Sequence, residues 1–231
     1  MLISWIKKTT LLDFPWKVAC IIFTAGCNLR CLYCHNPDFV LPEKIAKIRD
    51  FIPENIFFNF LKSKVWILDW VVICWGEPSL QKDLVEFCQK IKDLWFLVKL
   101  DTNGQNPEIL KKLIDNKLVQ YIAMDIKWDY DNLENLLWTY DKNKYLESIE
   151  IIKNSWLDYE FRTTLIKNYH KLSDFENVVK QINWSKKYFL QNYKWWNTLD
   201  KNFYWESFLS TELLDFKNIA LKYVKSCNIR I

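Results

Sequence analysis

Three cysteines, Cys27, Cys31 and Cys34, lie on one short stretch, Ala25-Gly26-Cys27-Asn28-Leu29-Arg30-Cys31-Leu32-Tyr33-Cys34-His35-Asn36-Pro37, with the spacing C-x3-C-x2-C. Thiolates are the soft ligands that iron–sulfur clusters take, and a [4Fe–4S] cluster held wholly by protein uses four of them. Three would leave one iron open. A structural zinc ion is the alternative use of such spacing, and it needs a fourth ligand from His35, His170 or a distant cysteine. Cys20, Cys74, Cys88 and Cys227 stand singly in apolar or mixed surroundings, where a free cysteine behaves as a small buried hydrophobe.

Other groups able to do chemistry fall at the ends of apolar runs. Ile73-Cys74 leads into Trp75-Gly76-Glu77-Pro78; Lys99-Leu100 leads into Asp101-Thr102-Asn103-Gly104; Ala123-Met124 leads into Asp125-Ile126-Lys127; and Arg162 sits within Phe-Arg-Thr-Thr. Each has an ordinary reading. Glu77 could sit in a first helical turn, Asp101 and Asn103 could be turn formers, Lys127 a solvated charge and Arg162 half of a surface ion pair.

The elements that position these residues alternate. Candidate strands rich in branched and aromatic residues are Val18–Thr24, Trp70–Cys74, Phe96–Asp101, Tyr121–Ile126, Tyr159–Leu165 and Tyr188–Asn192. Between and after them lie candidate helices Pro53–Lys62, Gln81–Leu94, Pro107–Asn116, Lys144–Asn154, Ser173–Ile182 and Thr211–Ser226. Six βα units predict an α/β protein with a parallel sheet, too few for a closed eight-stranded barrel. The expectation is a partial (β/α)6 barrel of the TIM type, with the chemistry at the C-terminal ends of its strands. No linker or repeat divides the chain, so it is read as one domain, 1–231, with a short N-terminal extension, 1–17, and a core from about 18.

Composition excludes several classes. Basic and acidic residues, 32 and 28, are mixed along the chain for a net charge of +4, so no basic block marks a nucleic-acid or membrane surface. No apolar run approaches the ~20 residues of a membrane span, and the N-terminus lacks the form of an export signal. The reading is a cytoplasmic protein, in which seven cysteines serve ligation better than disulfides.

One feature of the composition is anomalous. Average usage would give about 16 glycines, yet there are 3, beside 13 tryptophans. Several tryptophans stand where a turn favours glycine: Trp16 after Asp13-Phe14-Pro15, Trp156 in Asn-Ser-Trp-Leu-Asp, and Trp195-Trp196 before Asn-Thr. Indole is a poor turn former. The expectation is that the gene belongs to a lineage reading UGA as glycine, so that the 13 tryptophans stand for glycine; the alternative is a genuinely tryptophan-rich protein.

The cysteine loop, following the first barrel strand, resembles that of the radical S-adenosylmethionine (SAM) superfamily. The resemblance implies a [4Fe–4S] cluster on Cys27, Cys31 and Cys34 whose fourth iron chelates the amino and carboxylate groups of SAM, with Tyr33 near the adenine. Trp75-Gly76-Glu77-Pro78 is similar to the family's Gly-Gly-Glu-Pro, whose backbone approaches the SAM amino group; a true indole at Trp75 would obstruct it. The segments around Asp101 and Asp125 resemble those of glycyl-radical-enzyme activases. There the resemblance implies that Asp101, Thr102 and Asp125 frame a monovalent cation beside SAM and that Lys127 binds the SAM carboxylate; Arg162, if its strand face is inward, would point a cation toward the same mouth.

The opening Lys8-Thr9-Thr10-Leu11-Leu12-Asp13-Phe14-Pro15-Trp16-Lys17 resembles the Thr-Ser/Thr-Leu-x-Asp-Tyr/Phe-Pro-Gly-Lys of one activase group. With Cys-His-Asn-Pro, Asp-Thr-Asn-Gly and Asp-Tyr-Glu-Phe-Arg-Thr-Thr, it points to activating proteins of anaerobic ribonucleoside-triphosphate reductase. This resemblance implies reductive cleavage of SAM and hydrogen abstraction from a backbone glycine of the reductase large subunit, with electrons from a flavodoxin- or ferredoxin-like donor. The rival readings are a radical SAM enzyme acting on another glycyl radical enzyme, of the pyruvate formate-lyase type, or on a small molecule, and a non-catalytic Fe–S or zinc binding module.

Overall fold

Ala19–Thr24 and Trp70–Cys74 are buried at every position, as strands covered on both faces must be. They are the first two parallel strands of the sheet. The computed structural model describes residues 1–11, 13, 17–127, 140–167, 169–194, 198–200 and 206–230. Among these, one eight-stranded sheet runs in sequence order: β1 (Ile3–Thr10), β2 (Ala19–Thr24), β3 (Trp70–Cys74), β4 (Leu97–Thr102), β5 (Tyr121–Asp125), β6 (Asp158–Leu165), β7 (Tyr188–Asn192) and β8 (Cys227–Arg230). All neighbours are parallel except β1, which pairs antiparallel with β2.

Helices return the chain between the parallel strands: α1 (Glu54–Lys62), α2 (Leu84–Asp93), α3 (Pro107–Asp115), α4 (Lys142–Lys153), α5 (Phe175–Lys180) and α6 (Ser210–Ala220), with a short helical turn, Pro42–Ile45, ahead of α1. The partial (β/α)6 barrel expected from the sequence is what the chain forms. The ends of the sheet lie beyond that expectation. Residues 3–10, set apart as an extension in the sequence reading, form the antiparallel edge strand, and α6 stops at Ala220 rather than Ser226, leaving room for the turn into β8.

Strand residues alternate between two environments because successive side chains point to opposite faces. Cys20, Ile22, Val71, Ile73, Val98, Leu100, Ile122 and Met124 face the helices in the main core. Ala19, Ile21, Phe23, Val72, Cys74 and Ala123 face the barrel interior in a smaller one. In the main core Phe57 and Leu61, one helical turn apart on α1, are fully buried, and Phe57 stacks on Phe87 of α2 at 5.4 Å. Complete burial of such side chains is worth roughly 1.5–3 kcal/mol each. Toward β8 the interior becomes polar: Arg230 donates to both oxygens of buried Glu160 at 2.7 and 2.8 Å. This planar pairing ties β6 to the far edge. Among the described residues no helix is long and apolar enough to cross a membrane.

Candidate active site

The cysteine loop leaves β2 at Thr24 and is fixed mainly by backbone contacts. Gly26 N donates to Phe39 O at 2.8 Å, Cys34 N to Cys31 O at 2.9 Å, and Glu77 N to Gly26 O at 2.7 Å. Arg30 donates through Nη1 to the carbonyls of Cys27 and Leu29, at 2.6 and 2.9 Å. The approach to the β3 turn is so close that a Cβ on Gly76 would lie 2.4 Å from Gly26 O. Only glycine permits it.

The loop roofs a cavity of about 340 Å³ at the C-terminal ends of the strands, lined by Cys27, Cys31, Cys34, Tyr33, Trp75, Gly76, Glu77, Asp101, Thr102, Asp125, Lys127 and Arg162, among others. Thus every site residue expected from the sequence reaches one cavity except Pro78, which is buried at the start of a short 3-10 helix, Pro78–Leu80. Of the two cysteines near strand ends, Cys74 lines the cavity. Cys20, one position out of phase, packs in the core toward the helices.

Burial pushes the Cys27 thiol up to about 12, with the Glu77 carboxylate adding to it, and the Cys31 thiol up to about 11; Cys34 is raised as well, again by burial. Each thiol has its electrostatic environment shifted by another of the three, so they share one neighbourhood. Such thiols ionise only against a strong positive charge, as iron supplies on ligation. Among the described residues no three His, Cys, Asp or Glu side chains meet closely enough to hold a single metal ion. A four-iron cube takes each thiolate at a different corner. Three thiols around one cavity fit the cube.

Below the cysteines lies an ionic ladder. Arg162 Nη1 meets Asp101 Oδ2 at 2.8 Å and Arg162 Nη2 meets Asp125 Oδ1 at 2.9 Å, while Lys127 Nζ holds Asp125 Oδ2 at 2.9 Å. Arg162 therefore faces inward and is no surface pair. Its guanidinium bridges the two carboxylates between which the resemblance places a monovalent cation. Thr102 is likewise committed elsewhere, donating through Oγ1 to Glu77 Oε1 at 2.8 Å. Glu77 is itself buried, and burial raises its pKa against the pull of three donors, Ser79 N, Thr102 Oγ1 and Asn103 N.

Burial works against ionisation of Asp125, but Lys127 and Arg162 outweigh it and hold its carboxyl down at about 2. A carboxyl depressed on folding adds stability that is complete above its unfolded pKa, near 4, and is lost as pH falls toward 2. With allowance for partial exposure this is on the order of 1–2 kcal/mol. Urea unfolding of iron-free protein at pH 4.5 and pH 3 should show part of this loss, somewhat under half, in the native chain and a smaller one in Asp125→Asn; equal pH dependence in both would contradict the pairing.

Trp75 lies in the cavity wall against Phe23, ring centroids 4.1 Å apart, with φ at 62°. Among the described residues four non-glycine residues have positive φ: Trp75, Trp95, Lys117 and Trp184. Trp95 ends α2 with its N–H on Lys92 O at 2.8 Å and that of Phe96 on Ile91 O at 3.4 Å, the double closure that glycine usually serves. Trp5 and Trp70 lie in strands, where nothing calls for glycine. Trp16, Trp195 and Trp196 lie outside the described residues.

The sequence reading did not include Asp13, Asn103, Thr164 and Gln191, all in the cavity wall. Thr164 shares the inward face of β6 with Arg162, a period-two signal visible once Arg162 is placed. Asp13 accepts from Thr10 Oγ1 at 2.7 Å, and its carbonyl accepts from Lys99 Nζ at 3.0 Å; it is the aspartate of the opening motif, to which no place in the site was given.

The fold is an open, mostly parallel barrel with a three-thiol loop at its mouth, and over residues 21–182 the sequence matches the Radical SAM superfamily. The chain belongs to that superfamily, and within it to the glycyl-radical enzyme activating enzymes. It is 34% identical, over 99% of its length and 95% of the other's, to MJ1227 of Methanocaldococcus jannaschii, a candidate glycyl-radical enzyme activating enzyme. It is 24% identical to the pyruvate formate-lyase-activating enzyme of Clostridium pasteurianum over 77% of this chain and 75% of that one. The fold is shared with a domain of pyruvate-formate lyase-activating enzyme from Bacteroides vulgatus, with TM-score 0.57 and 16% identity over 70% of this chain and 98% of that one. Streptococcus suis SuiB bound to S-adenosylmethionine gives TM-score 0.63 and 14% identity over 91% of this chain and 52% of that one. The cofactors of the superfamily, and so of this enzyme, are a [4Fe–4S] cluster and SAM.

Proposed function

We propose that Cys27, Cys31 and Cys34 hold the cluster, that the cavity beneath them receives SAM, and that the chain, acting as one unit in the cytoplasm, makes a glycyl radical on anaerobic ribonucleoside-triphosphate reductase. The observation that carries this reading is the convergence of the three thiols with Asp101, Asp125, Lys127 and Arg162 on one cavity at the strand ends. When bound, the reduced cluster and SAM supply a carbon radical able to abstract a hydrogen atom. The chain's own residues bind and orient. Tyr33 would border the adenine, the backbone at positions 75–77 would meet the SAM amino group, and Lys127 would offer its ammonium to the SAM carboxylate. Arg162, already holding Asp101 and Asp125, keeps the charged wall rigid, and a monovalent cation framed by Asp101, Thr102 and Asp125 would compete with its guanidinium for the two carboxylates. A flavodoxin- or ferredoxin-like protein delivers the electron.

Glycine at the tryptophan positions is part of the same proposal, because an indole at 75 stands where SAM must approach the backbone. Three of the four non-glycine residues at positive φ being tryptophan supports it.

The reductase assignment rests on the opening motif and on the Asp-Thr-Asn-Gly and Phe-Arg-Thr-Thr segments. A partner of the pyruvate formate-lyase type is the second reading, favoured by the identity to the Clostridium pasteurianum enzyme over most of both chains. Anaerobic mixing with each candidate partner, SAM and reductant, followed by electron paramagnetic resonance, separates the two. The expected result is a glycyl radical signal on the reductase and none on pyruvate formate-lyase; the reverse pattern would reassign the partner.

A further inference from the structure

Asn103 reads in sequence as a turn residue, yet it is 6% exposed and joins three strand-end loops. Its backbone N–H donates to Glu77 Oε2 at 2.6 Å, and its Oδ1 accepts from the backbone N–H of Gln105 at 3.0 Å. A backbone N–H can only donate, so the second bond fixes which end of the amide is oxygen. The Nδ2 end therefore faces the cysteine loop. It donates to Asn28 Oδ1 at 2.9 Å and lies 3.8 Å from Cys27 Sγ. The Cys27 sulfur also meets the N–H of Leu29 at 3.4 Å.

We propose that Asn103 is a positioning residue that sets the reduction potential of the cluster through the N–H···S contact from its side-chain amide to Cys27. The inference rests on Cys27 being a cluster ligand. Reduction places additional negative charge on the iron–sulfur core and its thiolates, so a donor on a ligand sulfur is bound more tightly in the reduced state. The contact thus raises the potential and eases transfer from the one-electron donor. It would do so from a side chain outside the cysteine loop, whose orientation Glu77 and Gln105 determine.

The test is a potentiometric titration of the reconstituted holoenzyme followed by electron paramagnetic resonance, on the native chain, Asn103→Leu and Asn103→Asp. Leucine removes the donor; aspartate keeps the shape and the acceptor toward Gln105 but replaces the donor with a negative charge. The expected result is a reduction equilibrium about tenfold less favourable for leucine, a shift of about 59 mV for one electron, and a further drop for aspartate. Variants that hold a full cluster at an unmoved potential would overturn the proposal. So would loss of the cluster from both variants with secondary structure intact, which would make the role one of assembly alone. Retention of a full cluster by Cys27→Ala would instead defeat the ligand assignment, an outcome separate from the first two.

Discussion

Replacing Cys31 with alanine is expected to reduce 5′-deoxyadenosine formation from SAM to background, a loss on the order of 10³-fold or more, as when a group through which the chemistry runs is removed. The reason lies in the ligand count. Three thiols are the fewest that can hold three corners of the cube while leaving one iron for SAM. Cys74, the other thiol in the wall, lies on the β3 strand rather than on the loop. The measurement is anaerobic reconstitution, addition of dithionite and SAM, and quantification of product against iron content. Cys20→Ala, on the opposite face of β2, is the matched control and should retain turnover. Product from Cys31→Ala at the native rate would sink the assignment of all three ligands.

Glycine at Trp75, Trp95 and Trp184 should both tighten SAM binding and stabilise the fold. Left-handed backbone costs an L-residue roughly 1–2 kcal/mol, and all three lie there, at φ of 62°, 69° and 66°. Against this stands about 0.5–1 kcal/mol per glycine of extra freedom in the unfolded chain. The net expectation is a gain of about 2 kcal/mol by urea unfolding. The larger effect concerns position 75. Its indole fills part of the cavity wall beside Phe23, so Trp75→Gly should strengthen SAM binding on the order of 10²-fold or more, a change of at least about 2.7 kcal/mol. Calorimetric titration of SAM into the reconstituted protein reads it. Peptide masses from the native source bear on the same point: glycine at 16, 75 and 156 is expected, and indole masses there would end the recoding proposal.

The strands β2 to β7 were legible because each is a short run of branched and aromatic residues bounded by turn formers, and the helices between them because their apolar residues recur at helical spacing. The edges were not. β1 reads Ile-Ser-Trp-Ile-Lys-Lys-Thr-Thr, with only Ile3 and Thr10 buried, and an edge strand half in solvent carries little apolar pattern. β8 spans four residues, too few for a period to show. Helix ends shifted by a few residues at α2 and α6, where turns and a 3-10 segment compete with the helix.

The sequence by itself determined the ligand types and their order: three thiols at fixed spacing on one loop, and charged residues closing successive strands. These are local properties, set by chain spacing. Tertiary structure alone decided which charges meet. Arg162 is 61 residues from Asp101 and 37 from Asp125, and its inward face follows from the parallel register that sets Asp125 opposite Arg162; a one-residue slip would turn it to the helices. The same holds for Asn103, whose approach to Cys27 across 76 residues exists only because parallel strands bring their C-terminal ends to one rim.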